Sequence, residues 1–180
     1  MVLHEKGVDF ETTEVDLANK SEEFLEASPT GKVPVIVVDG DSLYESNVVN
    51  QYLDEVTGEP ELLPEDAKER AYARIWMSLA DENFFPAVLG ASVGRERGFS
   101  EERIASSFQK LERILSSLEQ QLDGREYLIG RFSLADIAYA GNFVRLRELE
   151  QRGDVSLDDY PNVAAWVERV EARKSYGTAV

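Results

Sequence analysis

Apolar residues recur at helical spacing through most of the chain, and only an early stretch shows the alternation and β-branched runs of a sheet. Met1 to Lys6 reads as the end of a helix, stopped by Gly7 in the C-cap position. Val8 to Leu17 alternates loosely and holds Thr12, Thr13 and Val15, which predicts a short strand. Ser21 caps a short helix containing Phe24 and Leu25, which ends before Pro29 and Gly31. Val35 to Val38 is a β-branched run expected to be buried on both faces. Asp39-Gly40 supplies the positive φ angles of a tight hairpin turn, and Ser42 to Tyr44 returns antiparallel. Val49, Tyr52, Leu53 and Val56 then mark a helix that Gly58 and Pro60 close.

Beyond Pro64 every pattern is helical. Tyr72, Ile75, Trp76 and Leu79 share one face of a first helix, whose far end Pro86 should kink or break. Ile104, Phe108, Leu111, Leu115, Leu118 and Leu122 form the longest periodic stripe, entered through Ser100-Glu101-Glu102 and closed by Asp123-Gly124. Ser133-Leu134-Ala135-Asp136 is a capping box, with Phe132 and Ile137 at the positions of a hydrophobic staple. Pro161 opens a last helix that turns Val163, Trp166, Val167 and Val170 inward. The expected organisation is therefore an α/β domain over 1–58, a linker over 59–64 and an all-α domain over 65–180.

Composition narrows the chemistry. The chain has no Cys and one His, which leaves no disulfide, no thiolate or multi-histidine metal site and no cysteine nucleophile within it. A net charge of −16 disfavours sequence-independent nucleic-acid binding. The apolar run at Val33 to Val38 is far too short to span a bilayer, and Met1 to Phe10 lacks the order of a signal peptide. A cytoplasmic protein without metal, membrane or nucleic-acid partner is the expectation.

Two segments carry candidate chemistry. In Thr30-Gly31-Lys32-Val33-Pro34-Val35 a proline sits directly before a strand. A trans bond makes Pro34 a loop end. A cis bond turns the Val33 amide and carbonyl outward, where they can pair with a peptide as an added strand would. Glu45-Ser46 lies where the hairpin ends and a helix begins. Ser46 is an ordinary N-cap there, or else the helix terminus and its hydroxyl bind a carboxylate while Glu45 binds an adjacent ammonium. His4 reads as a solvated or locally bonded side chain, and the Ser133–Asp136 box as structural.

The order of Pro29-Thr30-Gly31-Lys32-Val33-Pro34-Val35, Leu43-Tyr44-Glu45-Ser46, Tyr52-Leu53, Phe132 to Asp136, and Tyr160-Pro161 with Trp166 resembles the glutathione S-transferase family. The resemblance implies a thioredoxin-like N-terminal domain, an all-helical C-terminal domain and a homodimer. It further implies a cis Pro34, with Val33 pairing to the cysteinyl backbone of glutathione and Glu45 and Ser46 holding its γ-glutamyl end. Lys32 would approach the glycyl carboxylate.

The chain departs from the family at its start. Family members open with a strand and a loop bearing a catalytic Tyr, Ser or Cys, whereas Met1 to Gly7 matches the end of the helix that follows. The catalytic residue is accordingly left unassigned and the thioredoxin-like sheet is expected to lack its first strand. Each buried backbone group orphaned that way costs about 1–3 kcal/mol, against a usual total stability of about 5–15 kcal/mol. Either the protein starts upstream or its sheet closes differently. The functional expectation is glutathione as substrate, transferred to a small apolar electrophile or exchanged between thiols. The alternative is a non-catalytic adaptor of the same fold, resembling the stringent starvation protein A group.

Overall fold

The computed structural model describes residues 1–179, which fall into two compact units, Val2–Glu61 and a second from Leu62 onward that includes Met1.

The first unit begins with helix α1 (Val2–Lys6) and α2 (Glu22–Ala27). Gly7 at φ +63 ends α1 as expected, the Val8 amide reaching back to the Leu3 carbonyl and the Gly7 amide to His4. Ser21 caps α2 by accepting the Phe24 amide at 3.2 Å. Strand β1 (Val35–Val38) pairs antiparallel with β2 (Asp41–Tyr44) across a turn with positive φ at Asp39 and Gly40. Helix α3 (Ser46–Thr57) follows.

Two expectations fail here, for one reason. Val8–Leu17 forms no strand, because the two-stranded sheet offers it no ladder. For the same lack of neighbours β1 is not buried on both faces, and Val37 is 62% exposed. The unit also contains a buried ion pair that periodicity does not reveal. Lys6 is fully enclosed, its ammonium 2.6 Å from Asp54 Oδ1 and donating to the Asp54 and Gly58 carbonyls at the end of α3.

The second unit contains α4 (Ala67–Leu79), a π-helical turn (Ala80–Phe84), α5 (Phe85–Val93), α6 (Glu101–Gln121), α7 (Leu134–Ala140), α8 (Phe143–Gln151), α9 (Pro161–Glu171) and α10 (Lys174–Gly177). The Pro86 kink takes the form of the π turn, which spaces the helix so that the missing proline amide falls in the first turn of α5. Ser100 caps α6, and Ile104, Leu111, Leu115, Leu118 and Leu122 are buried as its periodicity predicts. The α4 stripe behaves otherwise: Tyr72, Ile75 and Leu79 are exposed, while the small or flexible Ala73 and Met77 face the core. Close packing of α4 on α7 explains which side is buried, because that contact admits little side-chain volume.

At the centre of this unit lies Asp136, fully buried at the start of α7. Its carboxylate accepts the Ser133 amide at 2.9 Å and hydroxyl at 3.0 Å, the Leu128 amide at 3.0 Å and the Trp166 indole at 2.9 Å. The Ser133 hydroxyl in turn accepts the Ala135 amide at 3.2 Å. The capping box is thus present, and it also ties the loop before α7 to α9. A second cross-helix cap comes from Glu119 on α6, whose carboxylate accepts the Asn162 and Val163 amides opening α9.

Candidate functional site

The hairpin register organises the candidate site. Val35 pairs with Tyr44 in the last rung of the ladder. Pro34 directly precedes Val35 and Glu45 directly follows Tyr44, so the two residues flank that last rung. Both sequence-predicted segments therefore meet at one end of the first unit's sheet.

Each segment is held by local chemistry. Val33-Pro34 is cis, and Val33 is half exposed, so this stretch is open to solvent rather than packed away. The loop before it is set by Ser28, a completely buried residue that caps α2. Its hydroxyl donates to the Lys32 carbonyl at 2.7 Å and accepts the Lys32 amide at 3.2 Å, while the Gly31 amide returns to the Ser28 carbonyl. Gly31 sits at φ +62, a conformation that any side chain would strain. The Lys32 backbone is thus pinned from both sides while its side chain points to solvent.

Glu45 occupies an unusual conformation, φ +68 and ψ 114, as the N-cap of α3. For a residue with a Cβ this region costs on the order of 1–3 kcal/mol, and such outliers concentrate at functional sites. Its carbonyl accepts the Val48 and Val49 amides, but its side chain makes no capping bond and is exposed. Ser46, expected as a possible N-cap, is instead the first residue of α3 and half-buried. The earliest amides of a helix have no intrahelical acceptors and lie at the positive end of its dipole, which suits a carboxylate. An exposed acid beside that helix end suits an ammonium. The arrangement can receive both charges of an amino-acid end group side by side.

Sequence reasoning missed Ser28 and Lys6. The only signal for Ser28 was its place directly before Pro29 in a turn. Nothing marked Lys6, whose partner lies far along the chain. His4 stands edge-on to Phe10 at 5.2 Å between ring centres, a local contact. Among the described residues no cluster of three or more His, Asp or Glu side chains is placed to hold a metal, and no helix is long and apolar enough to cross a membrane.

Asp136 has a displaced ionisation. Burial pushes its pKa up to about 6, and the four donors around it pull the other way without cancelling that effect. Its place inside the bundle, with every partner from the protein, makes it a structural group.

A small hairpin-and-helix unit followed by an all-α unit, with the strand–proline and helix-start segments brought together, defines a two-domain protein with a thioredoxin-like first half. Comparison with known proteins gives the family. The family model for the glutathione S-transferase N-terminal domain matches residues 1–56, and that for the C-terminal domain matches residues 96–169. Glutathione S-transferase U28 of Arabidopsis thaliana is 34% identical, over 97% of this chain and 79% of its own length. The crystal structure of rice GST1 in complex with glutathione superposes with a TM-score of 0.87 at 31% identity, covering 99% of this chain and 82% of that one. A glutathione S-transferase from Methylobacillus flagellatus, with glutathione bound, gives 0.83 at 34% identity, over 98% and 89%. The chain belongs to the glutathione S-transferase family.

Proposed function

We propose that this protein binds glutathione at the hairpin end of its first unit and transfers it to a small apolar electrophile. The observation that supports this reading is the last rung of the hairpin, Val35 against Tyr44, with Pro34 directly before the one and Glu45 directly after the other. In this assignment the Val33 backbone pairs with the cysteinyl residue of glutathione. Glu45 takes its ammonium, Ser46 and the α3 terminus its α-carboxylate, and Lys32 its glycyl carboxylate. Relatives with glutathione bound support the ligand.

The reaction needs the thiolate. The thiol loses its proton, the sulfur electron pair forms a bond to the electrophilic carbon, and the leaving group departs with the displaced pair. A free thiol has a pKa near about 8.5, so each unit of lowering requires about 1.4 kcal/mol of preferential stabilisation of the anion. The residue that supplies it is unassigned. The protein is proposed to act in the cytoplasm as a homodimer, with α3 and the outward face of α4 as the contact surfaces. Exposed Val48 and Val56 on α3, and Tyr72 and Ile75 on α4, support that choice.

Calorimetric titration with glutathione tests the site. Binding in the millimolar range or tighter is expected, weakened about tenfold by Glu45→Ala, the loss of one charge-assisted hydrogen bond. A smaller loss is expected for Ser46→Ala. Absence of binding would refute the reading and favour a non-catalytic adaptor of the same fold.

A further inference from the structure

The loop that leads from α2 into β1 is fastened from beneath by one side chain. Ser28 is completely buried at the end of α2. Its amide donates to the carbonyl of Phe24, a core residue, and its carbonyl accepts the Gly31 amide, both at 2.8 Å. Its hydroxyl donates to the Lys32 carbonyl at 2.7 Å and accepts the Lys32 amide at 3.2 Å. Every polar group of Ser28 is therefore engaged in closing the loop over residues 28–32. The loop is anchored to the core through Phe24.

The two hydroxyl bonds do more than close a turn, because the backbone bond from Gly31 to Ser28 already does that. They hold the peptide units on both sides of Lys32, and so fix its φ and ψ together. The second of those units also carries the Val33 amide. The Lys32–Val33 bond is trans. In a planar trans peptide the N–H points opposite to the C=O. A Lys32 carbonyl drawn down to the buried Ser28 hydroxyl therefore turns the Val33 N–H the other way, out of the loop.

That amide has the properties of a recognition group. It makes no hydrogen bond among the described residues, and Val33 itself is half exposed. An unpaired backbone donor at the approach to a strand suits the carbonyl of an extended peptide. The donor is also aimed before any ligand arrives. A peptide unit left free to rotate must be ordered at the moment of binding, and affinity falls by that cost.

We infer that Ser28 is a positioning residue for the peptide backbone of the ligand: its hydroxyl, by holding the Lys32 carbonyl inward, aims the Val33 amide at the cysteinyl carbonyl. This rests on the glutathione reading of the site. It adds to that reading a residue that acts wholly through Lys32 and Val33, from below the loop.

Calorimetric titration of the whole chain with glutathione tests the inference, at a temperature where melting curves show each variant folded. Ser28→Ala should weaken binding about fivefold or more, the factor that about 1 kcal/mol of backbone ordering implies. Ser28→Thr, which keeps the hydroxyl, should bind within about twofold of wild type, whereas Ser28→Val, of the same shape without it, should resemble Ser28→Ala. A role in stability alone would leave the affinity of a folded variant unchanged and would not separate Thr from Val. Amide exchange followed by NMR supplies a measurement on the wild-type chain, which decides the matter if a variant fails to fold. The Lys32 amide should be protected before glutathione is added, and the Val33 amide should gain protection only afterwards. Wild-type binding with Ser28→Ala affinity unchanged overturns this inference and leaves the glutathione site standing. Equal losses in the Thr and Val variants also overturn it, as does a Lys32 amide protected only in the complex. Absence of binding by the wild-type chain overturns the site and this inference together.

Discussion

Replacing Lys6 with methionine isolates the buried ion pair of the first unit. The Lys6 ammonium is fully enclosed, and Asp54 beside it is nearly so. Methionine keeps most of the volume but removes all three donors, leaving the Asp54 carboxylate and the Asp54 and Gly58 carbonyls without this partner. Removing one member of a buried pair costs about 3–5 kcal/mol, chiefly because the remaining charge stays desolvated. The unit has only a two-stranded sheet and a thin apolar core of Val2, Phe24 and Val49, so that loss should reach a large share of its stability. The readout must be specific to the unit, because Trp76 and Trp166 both lie in the helical unit. Hydrogen exchange by mass spectrometry meets this need. Peptides within residues 2–61 should exchange at least about a hundredfold faster in Lys6→Met, the factor that about 3 kcal/mol implies, while peptides of α6 and α7 keep wild-type protection. Adding Asp54→Leu should recover much of the loss, since an apolar pair can replace a buried ion pair at little cost. Protection unchanged to within about threefold, or no recovery in the double variant, would refute the reasoning.

Three further perturbations test other parts of the structure. Glu45→Gly should raise the stability of the first unit by about 1 kcal/mol, by relieving the positive φ of a residue with a Cβ. Glutathione affinity should fall in the same variant; unchanged or lower stability by hydrogen exchange would count against the strain. Asp136→Ala leaves four buried donors without an acceptor and should cost about 3–5 kcal/mol in urea unfolding followed by tryptophan fluorescence. The same residue gives a pH prediction. Its folded pKa of about 6 lies above the ordinary carboxyl value of 3.8, so the folded state holds the extra proton between them and this group's contribution to stability falls as pH rises from about 4 through 6. The gap in stability between wild type and Asp136→Ala should therefore widen by about 2 kcal/mol from pH 7.5 to pH 4, and a narrowing gap would show the carboxylate to be held ionised instead. Gly90→Ala drives a methyl to 2.2 Å from the Ser107 oxygen and should lower the melting temperature by several degrees, with partial rescue by Ser107→Gly.

The elements that were legible in the sequence are those whose cause is local. Ser21, Ser100 and Ser133 cap their helices, Gly7 ends α1, and Asp39-Gly40 turns the hairpin, because each acts on backbone within a few residues. The α6 stripe was equally plain, since one face of a long helix buries its whole period. That Pro34 and Glu45 flank one rung follows from a hairpin turn of fixed length, which ends the ladder at Val35 and Tyr44.

What the tertiary structure decided involves partners distant along the chain. Lys6 looked like an ordinary surface charge until α3 brought Asp54 and Gly58 to it. The α4 pattern marked one apolar face without fixing its direction, and packing on α7 buried Ala73 and Met77 and left Tyr72 and Ile75 exposed. Val8–Leu17 had the residues of a strand and no neighbour to pair with. Asp136 was recognisable as a cap, while the Leu128 and Trp166 donors that make it a hub arrive from other elements. Local backbone chemistry is written within a few residues and can be read there; burial, ion pairing and ladder formation depend on what folding brings alongside.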